Sequence, residues 1–197
     1  MIHPEQLQVD HNKMDIRIHK ILIGSRANGP GVRNVVWFQG CTLNCPGCFN
    51  TQTHDPAGGQ LISSEHLCDM ILDPERTCDG ITISGGEPFQ QPEELFTLLS
   101  SLRKRKSPPI LVFSGLSYTQ LDSNHKFKIC LPLIDALICG PYDKERPPAY
   151  ERFCSSANQE LWLLSNRFRK DDFKGLQLSE IIIDETGNAV FSGIKLL

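Results

Sequence analysis

Three short, unbroken apolar runs, at residues 81–83, 110–113 and 136–139, each stop at small or turn-forming residues: Ser84-Gly85, Ser114-Gly115 and Gly140-Pro141. Between the first two runs lies an amphipathic helix pattern. Pro92 stands at its start, Glu93 and Glu94 in its first turn, and Leu95, Leu98, Leu99 and Leu102 recur at helical spacing. Strands that are apolar throughout, alternating with such helices, are the signature of a parallel sheet buried on both faces. Upstream, residues 16–23 and 35–38 are β-rich and separated by the turn signal Gly29-Pro30-Gly31, and Ser63 is placed to cap a helix reaching about Leu72. Downstream, residues 160–164 and 180–184 read as strands. The latter turns at Glu185-Thr186-Gly187-Asn188 into a strand near 189–191. A full eight-fold barrel needs about 250 residues. The 197 residues here predict an α/β fold: a partial, laterally open (β/α) barrel of about five to six units with a small C-terminal β-hairpin, in one domain spanning 1–197. Ligands of α/β sheets gather at the carboxyl ends of the strands, so the loops after residues 38, 83 and 113 should converge.

The first of those loops carries three cysteines at the spacing Cys41-x3-Cys45-x2-Cys48. Three thiolates from one short loop suit three corners of a [4Fe–4S] cluster and leave the fourth iron open to a substrate or cofactor. Structural zinc wants four ligands, usually two Cys-x2–4-Cys or His pairs. Here there is one trio, with only His54 nearby. The second loop reads Gly85-Gly86-Glu87-Pro88. Its glycines permit close approach and unusual dihedrals, Glu87 could meet a cation or orient the turn, and Pro88 would stiffen it. Alone the string is only a turn signal; after a short apolar strand and downstream of the trio it gains weight. Ser114, at the third strand end, is a candidate for a ligand's hydroxyls or carboxylate.

The trio and the Gly-Gly-Glu-Pro turn together resemble the radical S-adenosylmethionine (SAM) superfamily. Within it, the chain is similar to the small activating proteins of glycyl radical enzymes, above all the anaerobic ribonucleotide reductase activators. The likeness runs through residues 27–33, 35–41, Cys48-Phe49-Asn50, 84–89, Gly140-Pro141-Tyr142 and 155–159. Most of the superfamily places an aromatic residue just before the third cysteine; this chain has Gly47 there and Phe49 just after, which resembles the Gly-Cys-Tyr-Asn of the reductase activators. It departs at Asn28, where pyruvate formate-lyase activators tend to carry Asp, and at Cys139, where related chains often carry Asp. The resemblance implies one [4Fe–4S] cluster on Cys41, Cys45 and Cys48. SAM would lie against Gly47, Phe49, Gly85, Gly86, Glu87 and Ser114, with its amino and carboxylate groups on the open iron. It further implies reductive cleavage of SAM to methionine and a 5′-deoxyadenosyl radical, with the electron from an external donor of flavodoxin or ferredoxin type. No side chain need act as an acid, base or nucleophile. The expected substrate is a glycine of a partner glycyl radical enzyme. A radical SAM enzyme acting on a peptide or small metabolite would show the same motifs, and a non-catalytic metal-binding module is the third alternative. Asn158 and Gln159 receive no role.

Net charge is −3, so there is no electrostatic case for a nucleic acid or membrane partner. The one basic cluster, Arg103-Lys104-Arg105-Lys106, falls at the end of the predicted helix, where cations favour the negative end of the macrodipole. The N-terminal stretch lacks the apolar core of a signal peptide, and no run approaches the roughly 18 apolar residues of a membrane span. A cytoplasmic protein is expected, and in that reducing compartment eight cysteines do not imply four disulfides. Cys68, Cys130 and Cys139 lie in apolar surroundings and read as buried thiols, whereas Cys78 and Cys154 are scattered singly. The six histidines lack ligand spacing.

Overall fold

The computed structural model describes residues 14–183, 187 and 189–194. Its main element is a seven-stranded mixed sheet in the order β3-β1-β2-β4-β5-β6-β7. The strands are β1 (Asp15–Ser25), β2 (Arg33–Phe38), β3 (Gln60–Ser63), β4 (Gly80–Gly85), β5 (Ile110–Ser114), β6 (Ala136–Cys139) and β7 (Glu160–Leu163). β2, β4, β5 and β6 run parallel; β1 and β3 on one side and β7 on the other pair antiparallel. Four parallel strands are fewer than the five or six units expected. The reason lies in the connections: the short 26–32 segment between β1 and β2 cannot make a parallel crossover, which needs a dozen or more residues.

Among the described residues there are four α-helices: α1 (Ser64–Ile71), α2 (Pro92–Lys104), α3 (Tyr118–Ser123) and α4 (His125–Lys128). Ser63 caps α1 by accepting from the His66 amide. Pro92 opens α2, and Leu95, Leu98, Leu99 and Leu102 are fully buried. The basic cluster is spent on particular partners. Arg103 donates to Leu133 O at 2.7 Å and to Asp135 at 2.7 Å, and Arg105 pairs with Asp69.

Both faces of the parallel strands are buried, as the unbroken apolar runs require. Ile110, Val112 and Leu137 pack on the helical side with Ile16, Ile18, Val36 and Phe38. Leu111, Ala136 and Ile138 pack on the other side with Phe153, Phe168 and Phe173, supplied by the segment after β6. A separate two-stranded antiparallel sheet, β8 (Ser179–Ile183) and β9 (Ala189–Gly193), forms the expected C-terminal hairpin. Apart from Gly187, the turn placed at 185–188 lies outside the described residues, as do residue 184 and most of the N-terminal stretch. Among the described residues no helix is long and apolar enough to cross a membrane.

Cys68, Cys130 and Cys139 are buried as expected, and Cys154 joins them. Burial pushes these thiols up, to about 11 for Cys68 and Cys154 and about 12 for Cys130 and Cys139. They stay protonated and inert.

Candidate cluster and cofactor site

β2, β4, β5 and β6 are parallel, so their carboxyl ends lie on one edge of the sheet. Phe38, Gly85, Ser114 and Cys139 mark those ends. The cavity there is lined by Cys41, Cys45, Cys48 and Phe49 from the loop after β2, by Ser84, Gly85 and Gly86 from β4, and by Ser114 and Gly115 from β5. Gly140 and Tyr142 after β6, and Ser155 and Gln159 before β7, complete the far wall. Three loops predicted from separate strands thus meet at one place.

The cysteine loop is held at both ends. The Gly40 amide donates to Thr53 O at 2.7 Å and the Cys41 amide to His54 O at 3.0 Å. The Gln39 side chain, buried beneath, donates to Asp55 O at 2.7 Å and to Gln52 O at 3.2 Å. Gln90, beyond β4, accepts from the Thr42 amide and donates to its hydroxyl. Within the loop the Cys48 amide donates to Cys45 O at 3.1 Å, and left-handed backbone at Asn44 (φ 48°) and Gly47 (φ 76°) coils the chain. A Cβ on Gly47 would press on the Lys144 side chain at 2.8 Å, so the absent side chain here serves loop packing, and Gly47 does not line the cavity.

All three thiols are half-buried. Burial pushes the Cys41 and Cys48 thiols up, and in each case neighbouring cysteine charge adds to the effect. Among the described residues no three His, Cys, Asp or Glu side chains converge on a single-ion point; the three cysteines ring one cavity instead. Three thiolates on one cavity are the donor set of a [4Fe–4S] group, each taking a different iron. His54, expected to be a bystander, lines the same cavity.

The Gly85-Gly86 turn has its amides engaged: Gly86 N–H donates to Phe38 O and Glu87 N–H to Gly40 O, both at 2.9 Å. What it offers a ligand is therefore carbonyl oxygen, an acceptor suited to an ammonium group. Gly85 takes φ +111°, and a Cβ on Gly86 would collide with the Gly40 carbonyl oxygen. Glu87 turns away from the cavity. It is fully buried, and its carboxylate accepts from the Phe89 amide (3.0 Å), Ser114 Oγ (3.0 Å) and the Gly115 amide (2.7 Å). Of the two roles open to it, this geometry serves the orientation of the turns. Burial raises its carboxyl to about 7 despite those donors. Ser114 lines the cavity and passes its oxygen on to the Leu116 amide at 3.1 Å.

Several wall residues escaped the sequence reading. Tyr142 packs edge-on against Phe49, centroids 5.6 Å apart at 81°. Gln159 Oε1 accepts from Ser155 N–H, Ser155 Oγ and Ser156 N–H, while its Nε2 donates to Gly140 O. Asn28 ties the hairpin to the site, donating to Ser25 Oγ and Ser192 Oγ at 2.6 Å each. The only sequence signals for these positions are the stretches that carry the family resemblance. Cys139 does not line the cavity, and Asn158 instead donates to Pro141 O.

The family described as "4Fe-4S single cluster domain" matches residues 27–162, more than half of the chain. The chain belongs to that family. It is similar to the anaerobic ribonucleoside-triphosphate reductase-activating protein of Haemophilus influenzae, 32% identical over 139 residues covering 67% of this chain and 88% of that protein. The protein of the same name from Enterobacteria phage T4 is 29% identical over 149 residues, covering 74% and 92%. The pyruvate formate-lyase-activating enzyme of Clostridium pasteurianum is 38% identical over 106 residues; the match takes in 52% of this chain but only 44% of that longer enzyme. The chain is thus a radical SAM enzyme of the activating type, with a [4Fe–4S] cluster and SAM as its cofactors.

Proposed function

We propose that the chain activates a glycyl radical enzyme by removing one hydrogen atom from the α-carbon of a glycine in that partner. The observation that carries this reading is the meeting of Cys41, Cys45 and Cys48 with the Gly85-Gly86 turn on one cavity at the carboxyl ends of β2, β4 and β5. Cys41, Cys45 and Cys48 would hold the cluster. The carbonyls of the Gly-Gly turn would receive the SAM ammonium, Phe49 and Tyr142 would wall in its adenine, and Ser114 would face its ribose or carboxylate. When bound, the two cofactors supply one-electron cleavage chemistry that no side chain here provides. The protein's own work is to bind, orient and exclude water. We take residues 1–197 as one domain in the cytosol, its sheet curving as a partial barrel open on one side. An external flavodoxin- or ferredoxin-type protein would supply the electron.

The test is anaerobic reconstitution of the full chain with iron and sulfide, reduction, and addition of SAM and a glycyl radical enzyme from the same genome. The expected result is 5′-deoxyadenosine together with a persistent glycine-centred doublet in the electron paramagnetic resonance (EPR) spectrum of the partner. 5′-Deoxyadenosine carrying deuterium from a labelled peptide or metabolite, with no radical stored on a protein, would replace this reading with the other enzymatic one.

A further inference from the structure

Thr53 and His54 run alongside the start of the cysteine loop. The Gly40 amide donates to Thr53 O at 2.7 Å, and the Cys41 amide to His54 O at 3.0 Å. The same stretch borders the Gly-Gly turn, since a Cβ on Gly86 would stand 3.0 Å from Thr53 O. Local chemistry fixes this path. Thr53 is fully buried and its Oγ1 donates to Asn50 O at 2.7 Å. The His54 amide then closes the short 3-10 turn Thr51–Thr53 by donating to Thr51 O at 3.1 Å. Residues 53 and 54 are thereby lodged between Cys41 and Gly86.

His54 is half-buried and lines the cluster cavity. Among the described residues its ring makes no hydrogen bond, ion pair or aromatic contact. The cysteines apart, no other described residue lining this cavity carries an imidazole, carboxylate, ammonium or guanidinium group. Imidazole nitrogen is a proven partner of cluster iron, as the two histidines of Rieske centres show, whereas the amides and hydroxyls around it suit harder ions. Cys41, Cys45 and Cys48 leave the fourth iron without a protein ligand, and SAM would take it through its amino and carboxylate groups. The amino group would also meet the Gly-Gly carbonyls. The open iron therefore belongs on the side of the cavity where Gly86 and His54 are neighbours.

Resting on the cluster and SAM placements above, we propose that the His54 imidazole is the fourth ligand of the resting cluster, bound to the open iron until SAM displaces it. The exchange breaks one Fe–N bond to the imidazole and forms the Fe–N and Fe–O bonds to SAM. The proton of the SAM ammonium is released to solvent, and the iron keeps its oxidation state. An iron held by three sulfides and no protein ligand is the one a cluster loses most easily. A displaceable imidazole retains it without closing the corner that the cofactor needs. The other use for an unpartnered ring in this cavity is contact with SAM itself, and the two roles predict opposite effects on SAM affinity.

The experiment reconstitutes the full chain anaerobically without SAM, with and without 15N-labelled histidine, and compares wild type with His54→Gln and His54→Ala. Pulsed EPR of the reduced cluster should show one imidazole nitrogen, shifted by the label, in wild type and in neither variant. Adding SAM should abolish it. Loss of the fourth iron to a chelator should be at least about tenfold faster in His54→Gln, since even a change behind the ligands costs a metal site about 10–100-fold. With SAM bound, wild type and variant should lose iron alike. SAM should bind His54→Gln about tenfold more tightly, the gain expected when the competing ligand leaves about a tenth of the resting clusters open. Weaker SAM binding by His54→Gln would overturn the proposal and give the ring to the cofactor. A chain that assembles no [4Fe–4S] cluster would remove the cysteine assignment and this proposal with it. A four-iron cluster that responds to SAM but shows no histidine nitrogen would remove the His54 ligand alone.

Discussion

Glu87 and Ser114 are joined by a 3.0 Å hydrogen bond from the Ser114 hydroxyl to the Glu87 carboxylate, which ties the turn after β4 to the turn after β5. The same carboxylate takes the Gly115 amide at 2.7 Å. A motif residue that looks poised for a ligand thus works from behind the cavity, setting the spacing of two of its walls.

Glu87→Gln should therefore cost stability without removing the cluster. An amide oxygen can satisfy only part of the donor set, and the new NH2 faces donors. The loss should be about 2–4 kcal/mol, against about 1 kcal/mol for Ser114→Ala. Protonation adds a second signature. The folded carboxyl titrates near 7 rather than near the ordinary 4.5. The folded state thus holds a proton that the unfolded state has lost between those values, and this contribution is fully present below about pH 4.5 and gone as pH rises through about 7. Anaerobic thermal melts from pH 5 to 8 should show wild type losing stability across that window relative to Glu87→Gln. Parallel pH curves for the two proteins would mean that Glu87 is ionised throughout.

Cys→Ala at position 41, 45 or 48 should each abolish the cluster's charge-transfer absorbance and all SAM cleavage. The buried Cys68, Cys130, Cys139 and Cys154, and half-buried Cys78, should be replaceable with full iron and sulfide retained. The measurement is metal analysis after anaerobic reconstitution, and a Cys48→Ala protein with four irons per chain would refute the ligand assignment.

The two glycines of the turn should fail differently. At Gly85 the difficulty is conformational and steric together: it takes φ +111°, a strain of about 1–3 kcal/mol for Gly85→Ala, and a Cβ there would also run into the backbone nitrogen and oxygen of Phe38. At Gly86 it is steric. A Cβ there meets the Gly40 carbonyl, which holds the Glu87 amide, so Gly86→Val must push the turn out of place. Gly86→Val should keep its cluster yet bind SAM about tenfold or more weakly, read as loss of the SAM-induced change in the reduced cluster's EPR signal. An unchanged response would mean that the turn does not touch the cofactor.

The parts of the fold legible from sequence were those whose signal is local. β4, β5 and β6 announce themselves as unbroken apolar runs because both their faces are buried, and α2 shows its cap, charges and leucine stripe within one stretch. β3 gave no such signal: residues 60–63 form a half-exposed edge strand whose pairing with β1 is set by tertiary contact. The cysteine trio and the Gly-Gly turn could be named as a site because their chemistry is written in residue type and spacing. Which way Glu87 faces could not be read, since two of its three partners lie 27 and 28 residues away.

Gln159 offers the sharpest test of a wall that sequence left without a role. It is 8% exposed, and its Oε1 is the common acceptor for Ser155 N–H (3.1 Å), Ser155 Oγ (2.9 Å) and Ser156 N–H (3.2 Å). Its Nε2 reaches back to Gly140 O at 3.2 Å, binding the chain after β6 to the chain before β7 across the cavity from the Gly-Gly turn. Gln159→Ala strands three donors and one acceptor, and should cost about 2 kcal/mol. Gln159→Glu keeps the acceptor for the serines but sets an oxygen against Gly140 O, so it should fall between wild type and alanine in thermal stability. Both variants should assemble the cluster normally, because no cysteine of the trio contacts this side chain through a hydrogen bond. Their defect should appear as a raised KM for SAM or for the partner, with the glutamate variant the milder. Equal melting temperatures for wild type and Gln159→Ala would show that the serine segment holds its place without this amide.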